Sequence, residues 1–180
     1  MTKDLKGLLV VETERLRLRR FTADDAPFIL RLLNEPSFIK NIADRGVRTV
    51  EDAVRYLEEG PIRSYARNGH GLWMVERKDD PVAIGMCGLL RRDAFEDVDL
   101  GYAFLPEFWS KGYALESACA VLALGKRALG LSRFIAFVSP GNQGSIRVLE
   151  KLGFAPSGRA KLSPETEEAV VYSLGAGKAS

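Results

Sequence analysis

Across residues 97–154 the chain stops reading as hairpins and reads as strand, helix, strand. DVDLGYAF alternates like a strand, LPEFWSKGY is a turn-rich loop, and ALESACAVLALGKRALG has the length and composition of a helix. RFIAFVS is a second strand, and NQGSIRVLEKLGF closes the stretch. Parallel strands need a crossover of about a dozen residues or more, and residues 106–132 supply one. RFIAFVS is mostly apolar, which suits a strand buried on both faces. Gly130 stands where the crossover helix should stop. Asn142 and Gly153 bracket another helix, with Ile146, Leu149 and Leu152 along one face. A chain built on this unit must form a sheet containing a parallel pair.

Upstream the pattern is different. TERLRLRRF from Thr13 alternates Leu16 and Leu18 with Arg15, Arg17 and Arg19, which predicts a strand whose arginine face is wet. Thr22 with Asp25 and Thr49 with Asp52 are capping-box starts for two helices. NEPS ends the first helix, and Pro61 either breaks the second or opens its continuation. Residues 34–49 are polar with isolated Phe38, Ile39 and Ile42; they are either a substrate entrance or a surface connection. LWMVER and VAIGMCGLL flank the turn KDDP as a hairpin, where Gly85 and Gly88 predict a bulge or a close backbone approach. A last strand falls at AVVYSL, near residues 169–174. The first few residues lack pattern and are expected to fray. The order β-α-α-β-β-β-α-β-α-β is α+β with a mixed sheet, in one domain over residues 1–180 with its core at residues 11–175.

Composition narrows the function classes. At 180 residues, with 46% hydrophobic and 28% charged, the chain can bury a real core. A net charge of +2 gives no electrostatic footprint for a nucleic-acid partner. Cys87 and Cys119 are far apart, no CxxC is present, and the single histidine, His70, sits in the turn-like NGHG. That leaves neither a metal site nor a Cys–His or Ser–His–Asp nucleophile system. Two buried-looking thiols and no signal peptide point to a cytoplasmic setting, and no apolar run approaches the ~20 residues that cross a bilayer.

Lys111, Gly112, Tyr113 and Ala114 stand at the start of the crossover helix. A helix start presents unpaired N–H groups and the positive end of the dipole, so it attracts phosphate. Gly112 lets a ligand approach the backbone, Ala114 keeps the first turn slim, and Lys111 adds a point charge. The loop is neither GxxxxGK[ST] nor GxGxxG, and glycine before a helix is common, so the loop by itself decides little.

Its neighbours decide more. LGYAFLPEFWSKGYALES and NQGSIRVLEKLGF resemble two elements of the GNAT superfamily of acyl-CoA N-acyltransferases, in its Rim-type branch of ribosomal-protein N-terminal acetyltransferases. ETERLRLRRFTADD is similar to that branch's first strand and helix entry, so the resemblance covers nearly the whole chain. Trp109 stands where the superfamily often has Gln or Arg. The resemblance implies a mixed, mostly antiparallel central sheet, flanked by helices, in which two parallel strands splay apart around acetyl-CoA. It implies that the pantetheine arm pairs near Phe104 and Leu105, and that the pyrophosphate rests on Lys111, Gly112, Tyr113 and Ala114. Asn142 and Ser145 then approach the arm and thioester from the other side, with Ser145 at the branch's acid position.

An amine attacking a thioester needs a free lone pair, a polarised carbonyl and a tolerable leaving group. An α-amino group, pKa about 8, is partly neutral at pH 7, whereas a lysine near about 10.4 costs roughly 4 kcal/mol more to deprotonate. The acidic candidates near the site strand are Glu96, Asp97, Asp99 and Glu107. Alternation sets Asp97 and Asp99 on one face, and Asp99, nearer the site, is either the base or an ordinary solvent-facing or ion-paired strand residue. A thiolate leaving at pKa about 8.5 needs only modest help, which Ser145 supplies either by hydrogen-bonding the sulfur or by relaying a proton. A backbone N–H near Phe104 polarises the carbonyl. Tyr102 and Tyr113 read as packing. The expected function is acetyl transfer from acetyl-CoA to a primary amine, a protein N-terminus or a small molecule, in a ternary complex with no metal. The alternatives are a non-catalytic CoA-binding sensor or assembly module and a phosphate-ligand protein without acyl chemistry. The resemblance fits a monomer or a homodimer.

Overall fold

The computed structural model describes residues 8–164 and 166–175; the stretch expected to fray lies mostly outside them. Eight strands form one sheet in the order β1-β2-β3-β4-β5-β6-β8-β7. They are β1 (Leu9–Glu12), β2 (Leu16–Arg19), β3 (Leu72–Arg77), β4 (Ala83–Leu90), β5 (Val98–Phe104), β6 (Phe134–Val138), β7 (Ala155–Ala160) and β8 (Ala169–Leu174). Among the described residues six α-helices accompany them: α1 (Ala26–Leu33), α2 (Pro36–Asn41), α3 (Val50–Leu57), α4 (Arg63–Asn68), α5 (Tyr113–Ala128) and α6 (Gln143–Lys151). All neighbouring strands are antiparallel except β5 and β6. The expected α+β architecture with a mixed, mostly antiparallel sheet is therefore the observed one.

Two apolar clusters hold the layers. On one face Leu18, Val75, Leu89, Leu100 and Phe134 pack with Ala118 and Val121 of α5 and Leu149 of α6. On the other, Met74, Met86, Ala103 and Leu105 pack with Ile29 and Leu32 of α1, Phe38 of α2 and Leu57 of α3. Both faces of the sheet are covered, and the wet arginine face expected for the strand from Thr13 holds at Arg15 and Arg17, which are partly exposed, but not at Arg19. Arg19 is 5% exposed, with Nη1 2.8 Å from Asp25 Oδ2 and Nη2 2.7 Å from Glu76 Oε1. The predicted strand from Thr13 is shorter, and a separate strand, β1, pairs outside it.

Both capping boxes form, at Thr22–Asp25 and Thr49–Asp52. NEPS ends α1 but also starts a helix, because Pro36 occupies the first turn of α2, where its missing N–H costs nothing. Pro61 does not break the second helix; α3 runs into α4 through a π-helical turn, Glu58–Ile62. In the hairpin, the β3–β4 register shifts between Val75 and Glu76, and Gly88 lies against β3 so closely that a Cβ there would sit 2.0 Å from Gly71 O. β7 has no counterpart in the sequence reading. Its Pro156 and Gly158 read as turn residues, yet an edge strand accommodates them around a register shift. Cys87 is buried but Cys119 is exposed, so only one thiol fits the expectation. Among the described residues no helix is long and apolar enough to cross a membrane.

The parallel pair positions the site. β5 and β6 pair only at Val98–Phe134 and Asp99–Ile135. Residues 100–104 and 136–138 continue as strands without pairing to each other, so a wedge opens toward their C-terminal ends.

Candidate active site

The mouth of the wedge is the loop from β5 to α5. Trp109 Nε1 donates to Phe104 O at 2.8 Å and folds the loop back over the strand end. Ser110 and Gly112 both take positive φ, 60° and 82°, reversing the chain twice before α5 begins. Gly112 is the N-cap of α5 and no side chain caps the helix, so the first-turn N–H groups of Tyr113 and Ala114 stay available. The connection between β1 and β2 latches this turn. Arg15 Nη1 donates to Lys111 O at 2.9 Å, Arg15 Nε lies 2.6 Å from Glu116 Oε2, and its guanidinium stacks 4.6 Å from the centroid of Tyr113. Thr13 Oγ1 adds a 2.6 Å bond to Glu116 Oε1. Burial pushes the Glu116 carboxyl up, but the Thr13 and Arg15 hydrogen bonds outweigh it and hold the group below the usual glutamate value. Lys111 Nζ lies 5.6 Å from the Phe108 ring centroid. The turn thus joins open N–H groups, a lysine and the small Ala114, a fit for a diphosphate.

The wall of the wedge is the free edge of β5. Leu105 N–H donates to Ile84 O and Leu105 O accepts from Phe108 N–H, so both of its backbone groups are engaged. Alternate residues of a strand address the same neighbour, so residues 103 and 105 face β4 while Tyr102 and Phe104 address the gap. With Phe104 O held by Trp109, the Phe104 N–H remains for a ligand in the gap.

Across the gap, Asn142 caps α6 as expected, its Oδ1 accepting Ser145 N–H at 3.2 Å. Tyr102 comes from β5 to meet it: its Oη lies 2.8 Å from Ser145 Oγ and 3.2 Å from Ser145 O. Burial pushes the Tyr102 phenol well above its usual value, against the Ser145 hydrogen bond. Tyr102 packs against the core as the sequence implies, and its hydroxyl in addition pairs with the candidate acid. A period-two pattern tells which face a tyrosine takes; it does not tell what waits there.

Asp99 lies on the opposite face of β5 from Tyr102, at the apex of the wedge. It is 3% exposed, and Arg92 Nε lies 2.7 Å from its Oδ2. Burial raises the Asp99 carboxyl above the ordinary aspartate value, while the charge and hydrogen bond of Arg92 pull it back. Arg92 spans the wedge, its guanidinium 5.7 Å from the Phe137 ring on β6, and Phe95 packs edge-on against that ring at 4.9 Å. Burial also raises the Tyr56 phenol of α3, with Arg45 and Arg92 opposing. Residues 34–49 reach this side of the wedge, since Ser139 Oγ, just past β6, donates to Asn41 O at 2.8 Å. The structure therefore brings Ser145 and Tyr102 together on one face and sets Asp99 with Arg92 on the other.

The remaining candidates have other partners. Asp97 pairs with Arg133 at 2.9 Å, Glu107 with Arg31, and Glu96 is exposed. His70 Nδ1 is bonded to Leu89 O at 2.9 Å in the protein interior. Burial pushes the Cys87 thiol up to about 12, against a hydrogen bond from Ser117, which leaves no nucleophilic thiolate there.

Residues 15–155 match the acetyltransferase (GNAT) domain family. The uncharacterized N-acetyltransferase YoaA of Bacillus subtilis (strain 168) is 31% identical over 150 residues, covering 83% of this chain and 84% of YoaA. A GNAT-family acetyltransferase from Bacillus anthracis superposes with a TM-score of 0.76 at 26% identity, over 92% of this chain and 97% of that one. RimL, a ribosomal L7/L12 alpha-N-protein acetyltransferase solved with coenzyme A, has the same fold, with a TM-score of 0.79 at 16% identity over 93% and 97%.

Proposed function

This chain belongs to the GNAT acetyltransferase family and is an acetyl-CoA-dependent N-acetyltransferase, and we propose that it acetylates a primary amine, a protein N-terminus or a small molecule, by direct attack in a ternary complex. The observation that carries the proposal is the β5–β6 wedge with an anion-ready turn at its mouth. In this reading the turn at Lys111, Gly112, Tyr113 and Ala114 holds the pyrophosphate. The pantetheine arm runs inward along the free edge of β5 and pairs at Phe104, with Leu105 supporting that edge through its bond to Ile84 of β4. Asn142 and Ser145 close the arm from the α6 side.

The amine enters from the face bearing Asp99, Arg92 and residues 34–49. Its lone pair attacks the thioester carbon while Phe104 N–H polarises the carbonyl oxygen. The nitrogen's proton passes to Asp99, directly or through water, and the C–S bond breaks with its electron pair on sulfur. Ser145 hydrogen-bonds the departing sulfur. An α-amino acceptor needs less from Asp99 than a lysine does, because its pKa of about 8 already leaves part of it neutral. The similarity in fold to a ribosomal N-terminal acetyltransferase supports the protein N-terminus as acceptor.

The test is a panel of N-terminal peptides, lysine peptides and small amines with acetyl-CoA, followed by release of free thiol. Turnover with α-amino peptides ahead of lysine peptides is expected. CoA binding without turnover on any amine would overturn the proposed chemistry.

A further inference from the structure

We propose that Tyr102 is a positioning residue for the Ser145 hydroxyl, aiming the serine proton at the sulfur that leaves. The inference rests on the reading that the thioester lies in the β5–β6 wedge. Ser145 is fixed twice: its N–H by Asn142 Oδ1 at 3.2 Å, and its Oγ by Tyr102 Oη at 2.8 Å. The first tie comes from the helix cap and the second from the strand across the gap, so the hydroxyl bridges the two elements that the cofactor separates.

A phenol carries one proton. When Tyr102 donates it to Ser145 Oγ, the serine proton cannot point back at Tyr102 and turns into the gap. The reverse arrangement is also available, in which Ser145 donates to Tyr102 and the phenol proton turns to Ser145 O, 3.2 Å away. Negative charge growing on sulfur selects the first arrangement, and the switch rotates two hydroxyls without moving a heavy atom.

Magnitudes separate this role from that of a proton donor. A thiol ionises near about 8.5 and a tyrosine near about 10, so handing the phenol proton to a thiolate runs uphill by about 1.5 pKa units or more. Burial of Tyr102 steepens the climb. Ser145 is a weaker acid still. Both hydroxyls therefore keep their protons. The C–S electron pair stays on sulfur as a hydrogen-bonded thiolate, which takes its proton from solvent, and the proton of the attacking nitrogen goes to the Asp99 side.

The experiment compares wild type, Tyr102→Phe, Ser145→Ala and the double variant. Phenylalanine keeps the ring and removes only Oη. The first readout needs no acceptor: the thiol of bound CoA is titrated by its thiolate absorbance. In wild type it ionises below free CoA, and in Tyr102→Phe it returns by about one pKa unit, a tenfold change in the equilibrium. The second readout is turnover of acetyl-CoA with an alanine-initiated peptide. Tyr102→Phe is expected to lose about tenfold in kcat with the KM for acetyl-CoA unchanged, and the double variant should be no slower than Ser145→Ala. A Tyr102→Phe protein that matches wild type in both readouts overturns the inference, as do losses that multiply in the double variant. A wild-type protein that binds no CoA removes the underlying reading instead, before any variant is compared.

Discussion

At the residue scale, Asp99 shows how one side chain can be read correctly by type and incompletely by setting. Alternation in DVDLGYAF places it on the face away from Leu100, and the structure keeps it there, but buried and paired with Arg92. Arg92 is one of two arginines in a segment the sequence marks only as a turn, so nothing in the spacing announced the pair. The consequence is a pH dependence with a definite sign. Burial raises the folded pKa of Asp99, so its contribution to stability is present below the unfolded value of about 3.9 and is lost as pH rises through the raised one. In the proposed mechanism activity runs the other way, because a base must be ionised. The acid limb of the kcat/KM profile should rise at a pH above the ordinary aspartate range, and Asp99→Asn should remove that limb and slow the reaction about a hundredfold. A profile unchanged in Asp99→Asn would assign the proton to water alone. Tyr102 shows the complementary gap: its position in the strand was legible, but its hydroxyl partner lies 43 residues away in another element.

At the element scale, the readable parts were those with local chemistry. The capping boxes at Thr22 and Thr49 and the Asn142 cap are contacts within a few residues, and all three formed. Elements whose form depends on distant neighbours were not readable. β7 is a strand because β8 lies beside it, despite Pro156 and Gly158, and Arg19 on β2 is dry because Asp25 and Glu76 close over it. Arg19 makes that cover measurable. Its guanidinium ties β2 to β3 through Glu76 and to the entry of α1 through Asp25. Replacing it with methionine keeps the stem but removes the charge between two largely buried carboxylates. Urea unfolding should show a loss of about 3–5 kcal/mol, the usual cost of breaking a buried pair from one side. A loss below about 1 kcal/mol would mean that water reaches the pair. Arg15, just before β2, serves the site instead. Arg15→Ala frees the turn at Lys111 and should weaken CoA binding while leaving urea stability nearly unchanged, since Arg15 and its bonds to Glu116 and Lys111 are largely exposed.

At the scale of the whole molecule, the sheet is continuous except where its one parallel pair opens, and the helix packed under that opening begins with the uncapped turn at Gly112. The strand–helix–strand grammar of residues 97–154 made this legible, because a crossover forces a parallel pair. The splay itself came from family resemblance and is now a matter of register. A ligand that fills the wedge binds only the folded chain, so CoA at about 100 times its dissociation constant should add about 2.7 kcal/mol and raise Tm by roughly 5–10 °C. The most direct test of the site is calorimetric titration of CoA into wild type and Gly112→Val. Gly112 has φ 82°, and a Cβ there would lie 3.2 Å from Arg15 Nη2, so valine would both strain the turn and push on its latch. Wild type should bind CoA, and Gly112→Val should bind at least about a hundredfold more weakly while remaining folded. Equal affinity in the two proteins would contradict the account and place the diphosphate away from the start of α5.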